Sequence, residues 1–235
     1  VTQALFVTGT DTGIGKTHVA VALLRALAAA GLRAVGMKPV AAGTDGRGAL
    51  NADVAALLAA GNVDAPHDEV NPYCFEWPIA PHVAARMAST PIDLALIERR
   101  FHALAARADI VVVEGAGGAL VPLSTRADML DVALRLRIAA VLVVGVRLGC
   151  INHALLTASA MRARGVPLAG WIANRVDPAM RNAGDSIAAI GERIGMAPAA
   201  DIAYAQQDID APALAALGID CAWVPSPHAV GRGSG

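Results

Sequence analysis

Thr8-Gly9-Thr10-Asp11-Thr12-Gly13-Ile14-Gly15-Lys16-Thr17 is the stretch on which the fold turns. It follows the apolar run Leu5-Phe6-Val7 and leads into a helical stretch from Thr17 to Ala30, which Gly31 ends. Strand, glycine-rich turn, Lys-Thr and helix, in that order, are the parts of a phosphate-binding loop. The usual spacing is Gly, four residues, then Gly-Lys-Ser/Thr. Here five residues, Thr10 to Ile14, separate Gly9 from Gly15. The extra residue changes the span of the loop and not its groups. Glycines at 9, 13 and 15 let backbone N–H groups come close to an anion, and the helix adds the positive end of its dipole. Lys16 supplies a charge for the β- and γ-phosphates, and Thr17 a hydroxyl for Mg²⁺. The alternative, a plain glycine-rich turn before a helix, leaves the ordered Lys-Thr pair unexplained.

Downstream, short apolar runs alternate with helical stretches, the pattern of a mostly parallel α/β sheet flanked by helices. Strands are expected at Arg33–Lys38, Ile110–Val113, Ala140–Val146 and Leu168–Ala173. Asn51 is placed to cap a helix through Ala60. Helices are also expected over Ile92–Arg107, Ala183–Ile194 and Pro212–Leu217. Asn71 to Pro81 holds three prolines and reads as an irregular surface segment. The tryptophans at 77, 171 and 223 read as packing residues. One domain over 1–230 is expected, with 231–235 as a disordered tail.

In such sheets, ligands bind beyond the carboxyl ends of the strands. The residues at those ends are therefore the informative ones: Lys38, Glu114 with Gly115-Ala116-Gly117-Gly118 behind it, Gly149-Cys150-Ile151-Asn152, and Asn174-Arg175. Magnesium needs several oxygen ligands, so Thr17 alone is a poor site. Glu114 and Asp53 are its best partners. Asp53 has a second reading, since an acid in the first turn of a helix is favoured by the dipole anyway. Lys38 should face the same edge as Lys16, and two lysines there suit a highly anionic transition state.

Composition excludes several classes. The formal net charge is −1, giving no electrostatic case for nucleic acid or an acidic membrane surface. No apolar run reaches the roughly 18 residues that span a bilayer, and no signal peptide is expected. The three cysteines are far apart and odd in number, which suggests neither a disulfide framework nor a zinc knuckle and fits a cytoplasmic protein. The six histidines show no metal-ligand spacing. Ser124 has no nucleophile-elbow context.

Taken together, "GTDTGIGKT", "GMKPVAAG", "VEGAGG", "VGVRLGCINHALLT" and "AGWIAN" resemble the dethiobiotin synthetases, over roughly residues 4 to 204. The long loop is that family's form. The resemblance implies a P-loop NTPase fold and an ATP- and Mg²⁺-dependent ligase of biotin synthesis, usually a homodimer. One amine of 7,8-diaminopelargonate takes up CO₂ as a carbamate, ATP phosphorylates it, and the second amine closes the ureido ring. It also implies roles for residues. Gly13, Ile14, Gly15, Lys16 and Thr17 would hold phosphates, with nucleotide contacts extending to His18 and Gly115, Ala116 and Gly117. Thr17, Asp53 and Glu114 would bind Mg²⁺. Thr12, Lys16 and Lys38 would face the carbamate and the transferring phosphoryl group. Asn174 and Arg175, with Ile202, Ala203 and Tyr204, would lie at the adenine. Gly149, Cys150, Ile151 and Asn152 would receive the substrate carboxylate across the dimer interface.

The chain departs from the family pattern at three places. Ala42 stands where a hydroxyl residue is common beside the substrate, Arg175 where an acid is common, and Ala203 where proline is frequent. Two rivals have less support. A cobyrinate-type amide synthetase usually adds a glutamine-hydrolysing domain, for which 235 residues leave no room. A nucleotide-switched partitioning protein carries an extra lysine early in the loop, where Asp11 stands here.

Overall fold

A computed structural model of the chain describes residues 2–44, 50–206 and 208–221. The expected tail at 231–235 and Trp223 lie outside the described residues. The chain runs β1 (Gln3–Gly9), α1 (Lys16–Ala29), β2 (Ala34–Met37), β3 (Val40–Ala42), α2 (Ala52–Ala60), α3 (His67–Val70), β4 (Tyr73–Phe75), α4 (Pro81–Met87), α5 (Leu94–Ala105), β5 (Ile110–Glu114), α6 (Met129–Leu136), β6 (Ala139–Gly145), α7 (Cys150–Arg164), β7 (Leu168–Asn174), α8 (Ala183–Ile194), β8 (Ala200–Ile202) and α9 (Ala211–Ala216).

Six strands form one sheet in the order β2-β5-β1-β6-β7-β8, every pair parallel. The sheet is covered on both faces, and this is why its strands are nearly continuous apolar runs. Alternation sorts the side chains. Leu5, Val7, Ile110, Val112, Val141 and Val143 join α1, α2 and α9 in one core. Phe6, Val111, Val113, Ala140, Leu142 and Val144 join α5, α6, α7 and α8 in the other. No helix among the described residues is long and apolar enough to cross a membrane.

Caps fix the helix ends that matter for the site. Past the C-terminus of α1, Gly31 takes a left-handed φ of +86°. Its N–H donates to Ala28 O and that of Leu32 to Leu27 O, with both leucines buried. This double bond pattern is what a glycine after the cap permits. Asn51 caps α2 as expected, its side-chain oxygen accepting from the N–H groups of Asp53 (3.0 Å) and Val54 (3.4 Å).

The stretch from Asn71 to Pro81 differs from its expectation. It contains β4, which pairs in parallel with β3, and Tyr73 and Phe75 are buried on either side of exposed Cys74. Three prolines do not prevent this, because none falls within the strand's three residues. Trp171 packs as expected, with no exposed surface, but Trp77 is 56% exposed.

β1 is followed by a helix that returns to β2 on one side of the sheet. Its neighbour β6 is followed by a helix leading to β7 on the other side. The adjacent strands thus diverge beyond their carboxyl ends. That opens the crevice in which parallel sheets bind ligands, and the Gly9–Lys16 loop lies in it.

Candidate active site

The loop is wedged and tied rather than free. Ile14 is 1% exposed and packs into the crevice against two glycines. A Cβ at Gly145 would stand 2.5 Å from Ile14 Cγ2, and one at Gly9 2.7 Å from Ile14 Cδ1. Only glycine allows this approach. Thr10 N–H donates to Val143 O at 3.1 Å, and Asn174 Nδ2, from the end of β7, donates to Ile14 O at 2.8 Å. Gly15 has a φ of +84°, and a Cβ there would run into Asn174 Nδ2. Asp11 makes an ion pair with Arg147 at 2.5 Å, while its carbonyl accepts from Lys16 Nζ at 2.7 Å. The first N–H groups of α1 have no intrahelical partners and begin at Lys16. Burial pushes the Lys16 ammonium down to about 8, opposed by Glu114 and reinforced by Lys38.

Behind the loop sits a buried charge cluster. Lys38 Nζ donates to Asp53 Oδ2 at 2.5 Å and to Glu114 Oε1 at 2.7 Å. Thr17 Oγ1 donates to the same Glu114 oxygen at 2.7 Å. Burial opposes the Lys38 charge, but the two carboxylates outweigh it and raise its pKa. Burial also pushes both acids upward. For Asp53, whose side chain is 43% exposed, Lys38 wins and the pKa falls. For Glu114, 1% exposed, burial wins and the pKa rises despite the same lysine.

The oxygens of Thr17, Asp53 and Glu114 fit a hard cation. Glu114 Oε2 is buried with no hydrogen-bond partner among the protein's groups, which fits an oxygen ligand of such a cation. Among the described residues no group of three or more His, Cys, Asp and Glu side chains could hold a metal by itself. A site of two carboxylates and a hydroxyl completed by phosphate oxygens and water is the magnesium pattern.

Thr12, Lys38, Ala42, Asp53, Ala116 and Gly117 line one cavity of about 430 Å³. Its remaining wall, Pro78 to Pro81 and Val121, was not foreseen. The clue was available in the prolines that follow an apolar run, and Pro78 packs against Gly43 just beyond β3. A larger cavity, about 640 Å³ between α4 and the 122–125 turn, holds none of the expected site residues.

At the far side of the loop, Asn174 and Ile202 are register partners in β7 and β8. Arg175 forms a two-bond pair with Asp201 at 2.8 and 2.7 Å. Its N–H also donates to Ile202 O at 2.9 Å. His18 Nε2 meets Gln206 O at 2.5 Å, and Ala203 N–H donates to Gln206 Oε1 at 3.2 Å. His18, Asn174, Arg175 and Ile202–Tyr204 therefore gather around one rim.

The helix start at Gly149–Asn152 stands apart from the 430 Å³ cavity. Ile151 borders a different one, of about 540 Å³, shared with the start of α8. The Cys150 side chain is 2% exposed within the core, and its N–H donates to Arg147 O at 3.0 Å. Only Gly149, Ile151 and Asn152 have groups to offer a ligand there. Leu148 beside them is 92% exposed.

Comparison with known proteins fits this geometry. The AAA domain family matches residues 3–216. The ATP-dependent dethiobiotin synthetase BioD of Aromatoleum aromaticum is 53% identical over 194 residues, spanning 82% of this chain and 86% of its own. The chain belongs to the ATP-dependent dethiobiotin synthetase family. The synthetase BioD of Nitrosospira multiformis is 52% identical over 192 residues, covering 82% of this chain and 84% of that one. Solved structures carry the fold more widely than the synthetases. The septum site-determining protein MinD of Pyrococcus horikoshii, complexed with Mg-ADP, has a TM-score of 0.54 at 14% identity, over 94% of this chain and 88% of its own. A ParA family ATPase of Chlorobium tepidum has a TM-score of 0.50 at 14% identity, over 92% and 89%. At that identity they share architecture alone. The partitioning proteins considered as rivals are thus relatives in fold, and the synthetases in sequence.

Proposed function

We propose that this synthetase closes the ureido ring of dethiobiotin from 7,8-diaminopelargonate, CO₂ and ATP, releasing ADP and phosphate, in the cavity beside Lys38. The observation that carries this reading is the meeting of Thr12 and Lys38 in one cavity with Asp53, on the open side of the phosphate loop. The carbamate forms when one amine attacks CO₂ and loses a proton. A carbamate oxygen then takes the γ-phosphoryl group, with ADP as the leaving group. The second amine attacks the carbonyl carbon of the mixed anhydride, and phosphate departs. No covalent enzyme nucleophile is needed.

The chain's own groups orient and neutralise. Lys16 and the first turn of α1 hold the phosphates, and Thr12 and Lys38 face the anionic carbamate. Thr17, Asp53 and Glu114 would hold Mg²⁺, which spreads the charge of the transferring group when bound. Asn174, Arg175 and the 202–204 segment border the adenine. Pro78–Pro81 and Val121 supply the apolar wall of the cavity. Ala42 lines the cavity without a hydroxyl, so that substrate contact is either lost or replaced by backbone.

The Gly149–Asn152 helix start lies outside the cavity and beside exposed Leu148 and Ile151. We infer that it serves the substrate carboxylate of a partner subunit in a homodimer. Sedimentation should find a dimer at assay concentration, and an active monomer refutes this. The free, widely spaced cysteines suit a cytoplasmic enzyme. The function is tested by ATP turnover with and without the diamine, with mass spectrometry of the product. Equal ATP consumption in both, and no ureido product, would sink the assignment.

A further inference from the structure

Lys38 carries an unusual combination of fixed backbone and transferable charge. Its N–H donates to Val70 O at 2.8 Å, and its carbonyl accepts from Asn71 Nδ2 at 2.6 Å. Pro39 follows directly. The backbone is thus held on both sides, and only the four-carbon side chain can move. Asp53 is fixed by the Asn51 cap, and the chain after Glu114 by the Gly115 N–H to Val7 O bond. Between these two anchored acids the Lys38 ammonium sits within 2.7 Å of both. Thr17 reaches the same Glu114 oxygen. The ammonium therefore stands against both carboxylates assigned above to the cation, on the Glu114 oxygen that Thr17 also reaches, while Glu114 Oε2 has no hydrogen-bond partner.

Ammonium and cation cannot share that place. Two carboxylates balance one lysine with a single negative charge to spare. A divalent ion added among them brings three positive charges onto two negative ones at contact distance, where repulsion between the cations is strong. An exit exists, because the cavity of about 430 Å³ is lined by both Lys38 and Asp53 and reaches Thr12 and Gly117. We propose that Lys38 is a displaceable counter-ion, holding the cation position between Asp53 and Glu114 until a divalent ion enters, whereupon the exchange turns Nζ into the cavity toward the carbamate. The inference rests on the metal and substrate roles assigned above and adds an order of events. The lysine is presented to the substrate only after the metal is loaded. Without metal the same ammonium keeps buried Glu114 and half-exposed Asp53 from facing each other unpaired.

The test measures cation binding rather than turnover. Mn²⁺ is titrated into nucleotide-free protein and the free ion counted by electron paramagnetic resonance. Lys38→Met should bind Mn²⁺ at least tenfold more tightly than the natural protein, because nothing has to be displaced. Lys16→Met removes a neighbouring charge whose Nζ donates to Asp11 O instead, and should change the affinity far less. Equal tightening in both variants, or none in Lys38→Met, overturns the exchange. Repeating the titration with β,γ-methylene-ATP separates the two readings. If all the proteins bind Mn²⁺ only with the nucleotide and equally well, the metal site stands and the exchange is wrong. If none binds under any condition, the metal site falls and the exchange with it. Should Lys38→Met not fold, crystals of the natural protein decide. With Mg²⁺ and β,γ-methylene-ATP, Nζ should have left both carboxylates. Nζ still bonded to both beside a bound cation refutes the proposal.

Discussion

Although Asn174 borders the adenine, replacing it by alanine should weaken nucleotide binding chiefly through the phosphates. Asn174 Nδ2 donates to Ile14 O at 2.8 Å, and the side chain is buried at the end of β7. The residue also fills the space that a Cβ on Gly15 would occupy. Truncation removes the donor and opens a void beneath the last turn of the loop. Leaving the buried Ile14 carbonyl without a partner costs about 1–3 kcal/mol. Because Ile14 is itself wedged in place, most of this cost falls on the loop's binding-competent shape. A mid-range ~2 kcal/mol lowers the competent population, and with it the apparent affinity, by roughly 30-fold. The assay is displacement of a fluorescent ADP analogue, by ATP in one series and by inorganic tripolyphosphate in the other. Both ligands should weaken by a similar factor. If ATP weakens while tripolyphosphate binds as before, Asn174 acts on the base and the tie to Ile14 is energetically idle. If neither changes, the loop does not need the tie at all.

Asp109 carries a pH-dependent share of stability. Hydrogen bonds from the Arg33 side chain lower its pKa against the upward push of burial, and Arg33 N–H adds a further bond at 2.8 Å. A depressed carboxyl stabilises the fold above its unfolded pKa near ~3.9 and loses that contribution as pH falls through the folded value. Asp109→Asn should therefore cost about 1–2 kcal/mol at neutral pH, the exposed arginine limiting the value. Urea melts should show the gap closing at low pH, and a constant gap contradicts the assignment. Asp53→Ala should raise the Mg²⁺ concentration for half-maximal activity by roughly tenfold or more, a charged ligand being worth over ~1.4 kcal/mol. Unchanged magnesium dependence would remove Asp53 from the metal site. Trp171 is fully buried and its Nε1 donates to Met196 O at 3.0 Å. Its change to alanine should cost about 3–5 kcal/mol in the same melts, and to phenylalanine only about 1–2. Equal losses would mean that packing does not set the difference.

The sheet was legible because burial on both faces leaves a direct trace. Ile110 to Val113 and Ala140 to Val146 are apolar without interruption, and each is a strand to within a residue. The Asn51 cap was legible because it is a local bond. So were the residues at strand ends, since a parallel sheet brings all of those ends to one edge. Partners across that edge were not. Nothing near Asn174 in sequence announces Ile14, and nothing near Lys38 says that its ammonium lies between Asp53 and Glu114 rather than open to a ligand. Strands β3, β4 and β8 have three residues each, too few for periodicity to register. Gly149 announces the helix start that the resemblance assigns to the substrate carboxylate, but nothing in the sequence says that the Cys150 side chain turns into the core or that its N–H is taken by Arg147 O. Trp77 read as a packing residue from its type alone, and lies largely exposed.

The position of β1 in the middle of the sheet has a consequence for the order in which the protein is made. β1 leaves the ribosome before both of its neighbours and must wait for β5 on one side and β6 on the other. The residue that ties down its loop is synthesised 160 positions after Ile14. At ~5–20 residues per second this is a delay of roughly 10–30 s, during which residues 10–17 exist without their seat. A nucleotide cannot assist folding in that interval, because the crevice that would grip it is not yet built. Its help comes only at the end, as a ligand that selects the finished chain, and non-local pairing of this kind also slows the final assembly. A truncated chain ending before Asn174 should accordingly gain no protection from proteolysis when ATP is added.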